Sequence, residues 1–190
     1  KSTIADLIMG LLKPSHGEIY VDGKDIHDNA HPERINRWMS SISHVPQNIF
    51  LIDGSFKENI AFGLKNNLVP LKKVKEAAKK AQIHEFIEST ENGYSTFIGE
   101  RGIKLSGGQI QRIGIARALY RKSKILIFDE ATSALDNKTE FSLMKCINEI
   151  SKDITIISIA HRHSTLKDFD KIIKIKKGAI DSVLDPKDIL

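Results

Sequence analysis

The chain has 190 residues, a length that suits one domain of ordinary size. Its 41% apolar residues can fill a core and its 28% charged residues can solvate a surface; 29 basic against 24 acidic residues leave +5, too mild and too interspersed a charge to point to nucleic acid. The single cysteine, Cys146, excludes an internal disulfide and suits a reducing compartment, and no apolar run approaches the roughly 20 residues that span a bilayer.

Lys1-Ser2-Thr3 leads directly into Ile4, Leu7, Ile8 and Leu11, a helical spacing that predicts a helix from Ser2 to Leu12. Lys-Ser-Thr reads as the tail of a G-x-x-x-x-G-K-[ST] phosphate loop, so a strand and glycines are expected before Lys1. The Pro/Gly cluster from Lys13 to Gly17 ends the helix. Glu18 to Val21 reads as a strand turned by Asp22-Gly23. His31-Pro32-Glu33 can start a short helix through Trp38, and Ser41 to Val45 reads as a strand ending at Pro46-Gln47.

From about Asn48 to Tyr120 the pattern turns helical. Ser55 to Phe62 and Leu71 to Ala81 are predicted helices. The second places Val74, Ala77, Ala78 and Ala81 on one face and Lys72, Lys73, Lys75, Lys79 and Lys80 mostly around the other, a cluster that could bind an anion or an anionic lipid surface but reads better as a solvated face. Strands are then expected at Lys124 to Phe128, Ile154 to Ile159 and Lys171 to Ile175. An amphipathic helix is expected over Asn137 to Ile150, with Cys146 as a small hydrophobe within it. Strands alternating with helices predict an α/β fold with a mostly parallel sheet. Residues 1–47 and 121–190 form its expected core, and residues 48–120 a helical subdomain inserted into it.

The segment KLSGGQIQRIGIARALYRKSKILIFDEATSALD, Lys104 to Asp136, carries most of the chemistry. A helix starting at Ser106-Gly107-Gly108 offers unpaired N–H groups and a positive dipole end to an anion. The strand Ile125-Leu126-Ile127-Phe128 delivers Asp129 and Glu130 to its carboxyl end, where open α/β sheets place their ligands.

LSGGQ, the apolar run ending in Asp-Glu, and SALD resemble the signature motif, Walker B and D-loop of an ATP-binding cassette (ABC) ATPase, a P-loop NTPase. The resemblance implies ATP and Mg²⁺. Lys1 would contact the β- and γ-phosphates, Ser2 would offer its hydroxyl to Mg²⁺, and Thr3 a further hydroxyl near phosphate. Asp129 suits Mg²⁺, because hard cations take carboxylate oxygen. Glu130 resembles the catalytic glutamate that polarises the attacking water. Gln47 resembles the Q-loop glutamine, which contacts Mg²⁺ or the attacking water. His161, after the strand Thr155 to Ile159, resembles the switch histidine. Among the other histidines, His16, His27, His31, His44, His84 and His163, no metal-ligand spacing occurs.

In such proteins Ser106, Gly107 and Gly108 grip the γ-phosphate held by a second subunit, and Gln109 borders that site. The implied partner is therefore another ABC ATPase subunit, met head to tail around two ATPs, with Asp136 at the interface. Gly99-Glu100-Arg101-Gly102 resembles the X-loop of exporters. Phe50 to Ile60 resembles the exporter segment that receives coupling helices. Residues 48–62 and 99–102 are thus the expected contact with a transmembrane domain, at the cytoplasmic face of a membrane. Leu184 departs from the pattern, standing where the family usually has Gly.

The reading is ATP hydrolysis powering export, with these 190 residues alone expected to be inactive. A soluble ABC ATPase of chromosome maintenance or translation is the alternative, and it would show a coiled-coil arm or second cassette. A non-hydrolysing regulatory cassette would have lost one of Glu130, Gln47, His161 or LSGGQ, all of which are intact.

Overall fold

A computed structural model describes residues 1–64, 69–99, 103–130, 136, 138–141, 144, 154–159 and 169–188. Its contacts divide the chain into two compact units, Lys1–Ile42 with Ser158–Leu190, and Ser43–Ile157.

In the first unit, helix α1 runs Ser2–Met9. It stops before the expected Leu12 because Gly10 turns left-handed and the Leu11 N–H returns to the Asp6 carbonyl. Leu11 is consequently exposed, and Ala5 and Met9 are the buried residues of the helix. Strands β1 (Tyr20–Val21) and β2 (Lys24–Asp25) form a hairpin across Asp22-Gly23. Helix α2 (Glu33–Ser40) follows, and its Trp38 Nε1 donates to the Ile8 carbonyl of α1 at 2.6 Å. Strands β8 (Ile172–Lys176) and β9 (Ala179–Leu184) form a second hairpin, with Leu184 paired to Ile172. The sequence pattern reveals β8 but not β9, whose residues are mostly exposed and lack a clean alternation.

Strands β3 (Ile42–Val45), β6 (Ile125–Asp129) and β7 (Thr155–Ile159) form a parallel sheet in the order β3-β6-β7. Central β6 is the strand of the three with no exposed residue, with Leu126, Ile127 and Phe128 enclosed. A continuous apolar run is what a strand covered on both faces requires. Buried Ser43 and Ser123 hydroxyls satisfy each other at 2.7 Å.

The rest of the second unit is largely helical: α3 (Phe56–Ile60), α4 (Leu71–Lys80), α5 (His84–Glu88) and α6 (Gly107–Tyr120). The expected inward face of α4 is buried, with Val74, Ala77, Ala78 and Ala81 all packed inside. A two-stranded antiparallel pair, β4 (Gly54–Ser55) with β5 (Phe97–Ile98), interrupts the helices. Strands this short leave no periodicity to read. Ser55 also caps α3, exchanging hydrogen bonds with Glu58, so the predicted helix start at Ser55 is the cap itself. Gly99 follows β5 with φ 105, and a Cβ there would sit 3.0 Å from the Asp53 Cα and the Ile52 carbonyl oxygen. Only glycine fits that backbone-to-backbone approach.

Gly114 lies inside α6, where glycine costs about 1 kcal/mol relative to alanine. A Cβ there would come within 2.4 Å of Ile49 Cδ1 and 2.8 Å of Ile49 Cγ1, so the bare backbone is the seat of that side chain. Gly114→Val is therefore expected to destabilise the fold by about 1–3 kcal/mol in urea denaturation, through overpacking. An unchanged midpoint would mean that Ile49 is not held there.

The predicted helix Asn137 to Ile150 is helical where described, at 138–141 and 144. Its remaining residues, His161, residues 100–102 and the SAL of the SALD motif lie outside the described residues. No helix among the described residues is long and apolar enough to cross a membrane.

Candidate functional site

Asp129 is the last residue of β6 and is partly exposed. The next residue, Glu130, has φ 51, a left-handed conformation that side-chain-bearing residues rarely adopt. The turn redirects the chain at the strand's end, so adjacent acids leave the backbone in different directions. Gln47 lies just beyond β3, the neighbouring strand. Its Nε2 donates to Glu130 Oε2 at 3.0 Å. Residues 83 positions apart are thus joined by adjacency in the sheet. With Nε2 committed to Glu130, the Gln47 side-chain oxygen is its remaining hard acceptor.

Ser106 is the N-cap of α6. The Gln109 N–H donates to Ser106 Oγ at 3.3 Å, and Gln109 Oε1 accepts from the Ser106 N–H at 2.8 Å. This reciprocal box fixes the first turn and leaves the Gly107 and Gly108 N–H groups without helical carbonyl partners. Ser106 and Gly107 are exposed. The turn therefore presents unpaired N–H groups at an exposed helix start.

Asp136 accepts the Thr139 N–H at 3.0 Å and the Thr139 hydroxyl at 2.6 Å. Those hydrogen bonds, the hydroxyl's foremost, hold its carboxyl below the ordinary carboxylate range. Lys1, Ser2 and Thr3 are exposed at the start of α1, where the Lys1 carbonyl accepts the Ile4 and Ala5 N–H groups. They belong to the first unit, whereas Gln47, Asp129, Glu130 and the 106–109 turn belong to the second.

A polar network that the motifs do not reveal ties the segment after Gln47 to α6. Arg117 donates to the Asn59 carbonyl at 2.9 Å, the Phe50 carbonyl at 3.1 Å and Asn59 Oδ1 at 3.3 Å. Its guanidinium lies 4.9 Å from the Phe62 ring centroid. Burial pushes its pKa below the ordinary arginine value. Asn59, fully buried, also bonds both the N–H and the carbonyl of Ile52 at 3.0 Å. The sequence does carry a signal: Arg117 sits between Ala116 and Ala118 in the otherwise apolar stretch Ile113 to Leu119, where a charge needs partners. Within the segment, Phe56 is fully buried whereas Phe50 is 75% exposed.

Comparison with known proteins identifies the family and the fold. The family model described as "ABC transporter" matches residues 1–133. The chain is 43% identical to "ABC transporter B family member 1" of Dictyostelium discoideum over 191 aligned residues, covering 100% of this chain and 20% of that protein. It is 46% identical to "Toxin RTX-I translocation ATP-binding protein" of Actinobacillus pleuropneumoniae, covering 95% of this chain and 25% of that one. A solved bacterial Atm1-family ABC exporter with ATP bound superposes with a TM-score of 0.89 at 39% identity, over 100% of this chain and 32% of that one. The chain thus spans a third or less of the length of each of these relatives.

Proposed function

Because this chain belongs to the ABC transporter family, whose P-loop NTPase fold it has, we propose that it is the ATP-hydrolysing cassette of an exporter. The observation that carries this reading is the contact between Gln47 and Glu130 at the end of the central strand. Glu130 carries the negative charge that orients the attacking water. Gln47 holds that carboxylate through Nε2 and offers its oxygen on the other side. Asp129 is likewise a hard oxygen donor, of the kind Mg²⁺ takes, and the Ser2 hydroxyl would offer another. Mg²⁺, when bound, neutralises charge on the phosphate oxygens. Lys1 and Thr3 contact the phosphates of the ATP held by the same subunit. His161 contacts the γ-phosphate.

Ser106, Gly107 and Gly108 receive the γ-phosphate of a second subunit's ATP through backbone N–H groups, with Gln109 bracing the turn. Asp136 lies at that head-to-tail interface. Residues 1–47 and 121–190 act as the core, and residues 48–120 as a subdomain that moves when ATP binds. Residues 48–62 and 99–102 meet the transmembrane domain at the cytoplasmic face of the membrane.

Exposed Phe50 supports the last of these assignments, since an aromatic ring left in solvent is what a contact surface supplies. The test uses the full-length protein reconstituted in vesicles. The wild type is expected to hydrolyse ATP with Mg²⁺. Phe50→Ser is expected to retain ATP binding and to lose assembly with, or stimulation by, the membrane domain. Normal assembly and stimulation in the variant would defeat the contact, and a wild type without ATP binding would defeat the reading itself.

A further inference from the structure

Helix α4, the C-terminal end of α6 and the start of β6 enclose a cleft of about 270 Å³, entirely within the second unit. Its floor is apolar, formed by buried Ala77, Ala118 and Leu126. Alanine on both helices leaves room that a longer side chain would occupy. Half-buried Tyr120 adds an aromatic wall with a hydroxyl. Lys73, Lys80 and Lys122 stand exposed at the rim against one acid, Glu76.

Those three lysines differ from their neighbour Lys75. Lys75 pairs with Glu88 at 2.7 Å and lies 5.5 Å from the Tyr94 ring centroid, so its charge is already used within the fold. Among the described residues, none of the three rim ammonium groups has a carboxylate within 4.0 Å. Lys122 is the more telling. It follows the C-cap of α6 with φ 53, a position that glycine fills without strain. The backbone is strained there and holds a cation at the mouth of the cleft.

We infer that this cleft binds a small organic anion: one carboxylate, phosphate or sulfonate group on an apolar body of a single ring system or short chain. The lysines receive the charged group, and the alanine and leucine floor receives the body. At about 270 Å³ the cleft lies just below the usual size range of small-molecule sites, which suits such a molecule better than a nucleotide. Its lining shares no residue with Gln47, Asp129, Glu130 or the 106–109 turn. The site therefore stands whether or not the export reading holds.

The test is calorimetric titration of the full-length protein with naphthalene-1-sulfonate, under saturating ATP and Mg²⁺ so that nucleotide sites are filled. One site per cassette is expected. Lys122→Gly is expected to weaken it about threefold or more while raising the thermal midpoint, because glycine relaxes the left-handed backbone. That rise separates lost binding from lost folding. The combined Lys73→Gln, Lys80→Gln and Lys122→Gly variant is expected to weaken the site at least about tenfold with ATP binding unchanged. No binding to the wild type, or binding that these variants leave intact, would overturn the proposal. Sodium sulfate binding as tightly as naphthalene-1-sulfonate would remove the apolar part of the ligand and overturn its assigned class.

Discussion

Glu130→Gln in the full-length protein is expected to slow ATP hydrolysis at least about 100-fold while leaving ATP affinity unchanged. The substitution is informative because its geometry is conserved. Gln47 Nε2 donates to Glu130 Oε2 at 3.0 Å, and the amide oxygen of a glutamine can accept the same hydrogen bond. Residue 130 keeps its left-handed turn, since neither side chain alters the backbone constraint. What disappears is the charge that orients and polarises water. Phosphate release measured beside equilibrium ATP binding separates the two effects, and an ATP-bound dimer should accumulate. Hydrolysis at the wild-type rate would remove Glu130 from the chemistry.

Arg117→Leu is expected to lower the unfolding free energy by roughly 2–4 kcal/mol, the range for removing a partly buried charged donor with several acceptors. Three oxygens, the Phe50 and Asn59 carbonyls and Asn59 Oδ1, lose the arginine as donor, although Oδ1 keeps the Ile52 N–H. Asn59 is fully buried and cannot turn to water for a replacement. Leucine can refill part of the volume but satisfies none of these groups. Arg117→Lys should recover only part of the loss, because an ammonium cannot reproduce the planar fork that reaches both residues. Urea denaturation measures both variants. A leucine variant as stable as the wild type would show that the network contributes no net stability. The effect should extend beyond stability, since Arg117 links the Gln47–Ile60 segment to the helix that begins at Ser106. Weakening that link is expected to loosen Phe50 first, because its hydrogen bond to Arg117 is the exposed one of the three.

Much of the architecture was legible because each signal was local. The alternation of Val74, Ala77, Ala78 and Ala81 defines a buried face with no knowledge of what covers it, and all four are buried. Ile125 to Phe128 reads as a buried strand, and the acids that follow mark its end. The Ser106-Gly107-Gly108 turn reads as a helix start, and α6 opens there with Ser106 as its N-cap. Helix ends were less legible. The apolar spacing continued to Leu11, but Gly10 ended α1 at Met9. The β4–β5 pair and β9 were invisible because their hydrogen bonds join segments whose own residues carry no strand period.

By itself, then, the sequence determined most of the longer helices and strands, where Asp129 and Glu130 end a strand, and where a helix opens on Ser106-Gly107-Gly108. These follow from periodicity, capping and turn chemistry, which act over a few residues. Only the tertiary structure decided that Gln47 touches Glu130, that Phe56 is buried while Phe50 is exposed, and that Arg117 rather than an apolar residue joins α6 to the segment after Gln47. It alone divided the lysines of α4, pairing Lys75 with Glu88 and leaving Lys73 and Lys80 at the mouth of a cleft with Lys122. The reason is physical. A residue's type limits what it can bond, but its partner is whichever group the sheet order and helix packing bring within about 3 Å, and that proximity is not a property of any short stretch of chain.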